Sequence, residues 1–110
     1  MSDLAKKKCV PFEDKTGKLE PIQSKNLLQD IDKWNIVDDR YIEKTLLFKD
    51  FASALTFINK VGEIAERENH HPDICLFSWN KVKFTLSTHS INGLSENDFI
   101  LAAKIDELAK

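Results

Sequence analysis

The sequence predicts an α+β fold of order α-β-β-α-β-β-α, a four-stranded antiparallel sheet with three helices packed on one face. Three observations lead there. Phe51, Ala54, Leu55, Ile58, Val61 and Ala65 recur at helical spacing. Two pairs of β-rich segments flank that stretch, each pair joined by a short polar turn, as in hairpins. Ser95-Glu96-Asn97-Asp98 then matches a capping box in front of a last apolar stripe.

In chain order, residues 1–23 predict an irregular arm, holding Pro11, Gly17 and Pro21, and residues 24–110 a single domain. Ser24 opens a short helix with Leu27, Leu28 and Ile31 at helical spacing. Trp34 to Val37 and Tyr41 to Phe48 read as strands around the turn Asp38-Asp39-Arg40. In the second, Ile42, Leu46 and Phe48 share a parity that Lys44 interrupts. Asp50 is the expected N-cap of the central helix, which should run to about Glu68 and stop before His70-His71-Pro72. The second hairpin pairs Asp73–Trp79 with Val82–His89 through a turn near Asn80-Lys81. Val82, Phe84 and Leu86 alternate with Lys83, Thr85 and Ser87, the pattern of a half-buried strand. Asn92-Gly93 makes a turn, and Leu101, Ile105 and Leu108 form the stripe of the last helix.

A chain of 110 residues can bury one modest core, and 42% hydrophobic with 31% charged residues is a globular balance. A net charge of −2 gives no general attraction to nucleic acid or to anionic membranes. No apolar run approaches the length of a membrane span, and Met1 to Lys8 lacks a signal-peptide core. Cys9 and Cys75 do not form a disulfide framework and are expected as reduced thiols, so the cytoplasm is the expected compartment. P-loop, G-x-G-x-x-G and G-x-S-x-G motifs are absent.

All three histidines lie between positions 70 and 89. Imidazole titrates closest to neutrality, so a pair of them suits a reaction that removes one proton and delivers another. Each also has a plain alternative as a surface or hydrogen-bonded side chain. His89 shares parity with Lys83, Thr85 and Ser87, which favours an exposed or site-lining position over a core one. Glu66 precedes His70 by four residues and would share its helix face if the helix persisted. It would then orient or charge the imidazole, or else be a solvated glutamate. Asp98 is explained by the capping box, and a site role would have to coexist with that or replace it. Phe77 and Trp79 read as core or interface. Adjacent histidines without HExxH or a Cys-x-x-Cys pair make a poor metal site.

The run Glu66-Arg67-Glu68-Asn69-His70-His71-Pro72, then Trp79-Asn80-Lys81-Val82, then Leu86-Ser87-Thr88-His89 closely resembles the pterin-4a-carbinolamine dehydratase family. Gly93-Leu94-Ser95, Asp98 and Leu101 to Asp106 continue the likeness, which covers roughly residues 24–108. The resemblance implies dehydration of a 4a-hydroxytetrahydropterin to quinonoid dihydropterin, recycling the cofactor of an aromatic amino-acid hydroxylase. It implies His70 and His89 as the acid–base pair and His71 in the pterin pocket. Glu66 would support the histidines, Asp98 would sit at the margin, and Asn69, Pro72, Ser87 and Thr88 would contact substrate. No metal or organic cofactor is implied, and a homodimer or homotetramer is. The chain departs from animal members at Ile74, at Asn97 where arginine is common, and in one loop length. The competing expectation is a binding module, an oligomerisation partner of a regulator or of another pterin enzyme.

Overall fold

The computed structural model describes residues 4–10 and 18–110. Pro11 and Gly17 of the predicted arm lie outside the described residues. The elements are α1 (Pro21–Leu28), β1 (Asn35–Val37), β2 (Tyr41–Leu47), α2 (Phe51–Glu68), β3 (Asp73–Phe77), β4 (Lys81–Leu86) and α3 (Glu96–Ala109), preceded by a 3-10 turn at Leu4–Lys6. The four strands form one antiparallel sheet in the order β1-β2-β4-β3. The predicted fold class and element order are therefore those observed.

α1 starts at Pro21 rather than Ser24, because proline at the first helical position has its φ already set. Glu20 and Gln23 complete a capping box there, and Ser24 is buried inside the helix. The three-residue loop between β1 and β2 has Asp38 and Asp39 at φ 54° and 55°, a left-handed pair in the turn that the Arg40 N–H closes by donating to the Val37 carbonyl at 3.0 Å. Asp50 caps α2 as expected, its side chain accepting from the Ser53 N–H at 2.7 Å. The second hairpin turns earlier than the sequence suggests. β3 ends at Phe77, and Ser78 and Trp79 take left-handed φ angles of 47° and 58°. Asn80 locks the turn, since its side-chain amide donates to the Phe48 carbonyl and its own carbonyl accepts from the Phe48 N–H.

The inner face of the sheet carries Ile42, Val82, Phe84 and Leu86, all fully buried. α2 lays Ala54, Phe57, Val61 and Ala65 against it. Phe57 meets Phe48 and Phe84 with ring centroids 5.2 and 5.8 Å apart. Lys44 does point into this face, where its ammonium lies 2.8 Å from Asp106 and over the Trp34 ring. A buried cation with a carboxylate partner explains the break in the β2 pattern. α3 departs from a simple stripe. Asn97 through Ala103 are all buried, while Leu108 is only half-buried. The second cover on α3 is the described part of the arm: Leu4 joins the core, and Lys104 donates to the Ala5 carbonyl. Phe77 and Trp79, expected in core or interface, are exposed, Trp79 at 61%. The core is therefore excluded for them in the single chain.

Candidate active site

α2 stops because Asn69 takes a left-handed conformation, φ 53° and ψ 40°, which asparagine tolerates. Its N–H closes the helix onto the Ala65 and Glu66 carbonyls. The chain then turns so that consecutive histidines part company. The His70 side chain is 11% exposed and the His71 side chain 55%.

His70 Nε2 lies 2.6 Å from Asp98 Oδ1. Asp98 is wholly buried at the third position of α3. Its other oxygen accepts the Ser95 N–H at 3.0 Å and the Thr88 hydroxyl at 2.9 Å, and Thr88 Oγ1 lies 2.7 Å from Ser95 Oγ. The capping acid and the carboxylate that holds the imidazole are thus one residue, using one oxygen for each task. A carboxylate without such partners would cost several kcal/mol to bury. With Nε2–H given to Asp98, the basic nitrogen of His70 is Nδ1.

Glu66 does not reach His70. The left-handed Asn69 breaks the helical register, and Glu66 Oε2 instead lies 2.6 Å from His71 Nε2. Glu66 is 78% exposed at its side chain.

His89 is not at a strand end. β4 finishes at Leu86, and His89 opens a 3-10 turn, His89–Ile91, capped by Asn92 at φ 50°. Thr88 and Gly93 bridge the base of this loop, with Thr88 N–H donating to the Gly93 carbonyl at 2.8 Å. His89 itself is exposed.

These segments enclose a cleft of about 320 Å³ lined by all three histidines together with Asn69, Ser87 and Thr88. That is the low end of the range for small-molecule sites, which extends from about 300 Å³. Val10, Ser90 and Asn97 also line it. Of the predicted residues, Asp98 stands behind His70. Glu66 and Pro72 border a separate open groove between α2 and β3, shared with His71. A cleft of similar size, about 310 Å³, lies between the end of α1 and α3, but it contains no imidazole. Among the described residues no three His, Cys, Asp or Glu side chains converge as a metal site, and no helix is long and apolar enough to cross a membrane.

Fold and site together define a small α+β protein with a histidine-lined cleft and a buried Asp–His pair behind it. The family model for pterin 4 alpha carbinolamine dehydratase matches residues 17–108. A Rubrobacter xylanophilus protein, provisionally named pterin-4-alpha-carbinolamine dehydratase, is 44% identical over 98% of this chain and 100% of its own. Pterin-4-alpha-carbinolamine dehydratase 2, mitochondrial, from Arabidopsis thaliana is 45% identical over 98% of this chain and 60% of its own. A crystal structure from Brucella melitensis, titled transcriptional coactivator/pterin dehydratase, superposes with a TM-score of 0.79 at 35% identity, over 84% of this chain and 99% of that one. The same fold, at 22% identity and TM-score 0.60, occurs in a pterin dehydratase-like protein titled a RuBisCO assembly factor, over 71% of this chain and 90% of that one. The chain belongs to the pterin 4 alpha carbinolamine dehydratase family.

Proposed function

We propose that this protein dehydrates 4a-hydroxytetrahydropterin to quinonoid dihydropterin by histidine acid–base catalysis. The observation that carries the reading is the convergence of three imidazoles on one small cleft, with His70 anchored to the buried Asp98. In the reaction, hydroxide departs from C4a as water while a proton leaves N5. One group must protonate the departing oxygen and another must accept the N5 proton. His70 and His89 are the proposed pair. His71, held by Glu66, is the proposed pterin-binding histidine, and Asn69, Ser87, Thr88 and Pro72 are proposed substrate contacts. The pterin is the substrate, and neither metal nor organic cofactor enters the proposed reaction. An aromatic amino-acid hydroxylase is the proposed source of the carbinolamine, and the cytoplasm the proposed compartment.

The protein is further proposed to form a homodimer or homotetramer. Support comes from the edge of β3, unpaired among the described residues, and from exposed Leu47, Phe77 and Trp79 near the turn between β3 and β4. A non-catalytic binding role is the second reading, favoured by the likeness to the Brucella melitensis transcriptional coactivator/pterin dehydratase. The intact histidine cleft supports the enzyme, since protein binding alone has no use for it.

The test is a dehydration assay with purified protein and synthetic 4a-hydroxytetrahydropterin, run without and with EDTA. Turnover well above the spontaneous rate is expected. A rate equal to the spontaneous one would overturn the enzymatic reading, and loss to EDTA with recovery on adding zinc would overturn its metal-free form.

A further inference from the structure

We propose that Val10 is the apolar wall of the substrate cleft and that Asn97 is a positioning residue that holds it there. The proposal rests on the dehydratase reading for its substrate. Val10 is the sole apolar residue among the described residues lining the cleft, and the others are all Asn, His, Ser or Thr. A pterin is a flat heteroaromatic bicycle, and a cleft that binds one needs an apolar surface for a ring face as well as polar groups for its edge. Val10 is 56% exposed, so the core does not account for its place.

Its backbone is held from both sides by a built clamp. The Val10 N–H donates to Asn97 Oδ1 at 3.0 Å, and Asn97 Nδ2 donates to the Val10 carbonyl at 2.6 Å. Asn97 is 4% exposed and directly precedes Asp98, which ties the wall to the helix turn that carries the His70 anchor. One residue earlier, the Cys9 N–H donates to Glu68 Oε1 at 2.8 Å, and Cys9 Sγ lies 3.6 Å from the Asn97 carbonyl. Two consecutive residues of the arm are thus fixed by side chains of two different helices. A buried asparagine spending its acceptor on the N–H and its donor on the carbonyl of one residue engages both peptide groups flanking that residue, and so fixes its orientation as well as its place.

The experiment compares Val10→Thr, Val10→Ile and Asn97→Ala. Val10→Thr keeps the shape and adds a hydroxyl on an exposed side chain. It should raise KM about 3–10-fold, as expected for losing part of one valine's apolar contact, with kcat within about 2-fold. Val10→Ile should restore KM. Asn97→Ala should raise KM comparably. In a Cys75→Ser background it should also speed modification of Cys9 by a thiol reagent at least about 10-fold. Burial, with Glu68 alongside, pushes the Cys9 thiol up to about 12, so an intact clamp keeps it unreactive. Native KM in Val10→Thr would overturn the proposal. So would a raised KM in Asn97→Ala with Cys9 still protected, since Asn97 would then act without moving the arm. Titration with 7,8-dihydrobiopterin, which lacks the 4a-hydroxyl, separates the two readings. A wild-type protein that binds it but does not turn over carbinolamine overturns the dehydratase reading alone, and weaker binding by Val10→Thr still supports the wall.

Discussion

Two carboxylate–imidazole pairs stand at the end of α2, each with a 2.6 Å separation, and they are physically unlike. In His70–Asp98 the carboxylate is inaccessible, and its other oxygen accepts from the Thr88 hydroxyl and the Ser95 N–H. In His71–Glu66 both side chains are more than half exposed. Equal distances do not mean equal worth. Water and salt screen the exposed pair, and each partner keeps other rotamers available. The buried pair has no water to fall back on, so breaking it strands a polar group. The first therefore holds its imidazole in one place, and the second leaves its imidazole able to move.

The largest effect should come from the imidazoles of the proposed acid–base pair. His70→Ala and His89→Ala should each lower kcat by about 10²–10⁴-fold, the usual worth of a positioned acid or base. Because both serve one proton-transfer sequence, the double variant should fall by less than the product of the two losses. His71→Ala should instead raise KM more than it lowers kcat. Steady-state rates corrected for spontaneous dehydration read all of these. Full kcat in folded His89→Ala would remove it from the pair.

Next is the buried partner. Asp98→Ala leaves His70, Thr88 and the Ser95 N–H without their Asp98 acceptor and removes the side-chain half of the α3 capping box that Asp98 supplies. Breaking a buried pair in this way costs about 3–5 kcal/mol. Urea unfolding should show a loss of unfolding free energy of that size, read from the midpoint and the slope. A loss below about 1 kcal/mol, the range of an exposed pair, would erase the contrast between the two pairs.

Much of this was legible in the sequence, for reasons that differ by residue. The start of α2 follows from Asp50, and the proline after His71 sets how far the helix could run, both local signals, while the left-handed Asn69 ends it. Asp98 was visible as a capping acid, and the capping geometry is what leaves its second oxygen for His70. The partner of Glu66 was not legible. Helical spacing points it at His70, and only the left-handed Asn69 diverts it to His71. The 3-10 turn at His89 also escaped, because Thr88–Gly93 pairing closes it and alternation ends without a marker. Val10 and Asn97 carry no shared sequence signal, since 87 residues separate them.

A third carboxylate on α2, Glu68, sharpens the comparison from the acid side. Burial works to raise its carboxyl, but the Cys9 N–H and the Lys104 and Lys8 ammoniums outweigh burial and hold it below the usual 4.5. A depressed folded value means the unfolded chain binds the proton first as pH falls. The stabilisation is thus complete above about pH 4.5 and lost progressively below it. Thermal melting from pH 7 to pH 3 should show a shallower acid decline for Glu68→Gln than for the native protein. Identical slopes would show that the buried contact does not retain the charge.

The smallest effect should be that of Glu66→Gln. The substitution keeps the length and an acceptor oxygen for His71 and removes the charge. The side chain is 78% exposed, so no desolvated group is stranded and solvent replaces what is lost. Stability should change by less than about 0.5 kcal/mol, as at ordinary surface positions. The effect on turnover separates two roles for the pair. If Glu66 only orients His71 for binding, KM should rise by about 2–5-fold at low salt with kcat nearly unchanged. The difference from wild type should shrink as ionic strength rises toward about 1 M, where the screening length falls to about 3 Å. The buried pair predicts the opposite salt behaviour: the defect of Asp98→Ala should be the same at low and high salt, because ions do not reach it. A kcat loss of about 100-fold or more in Glu66→Gln, insensitive to salt, would place the exposed carboxylate in the proton-transfer sequence and reverse the ranking of the two pairs.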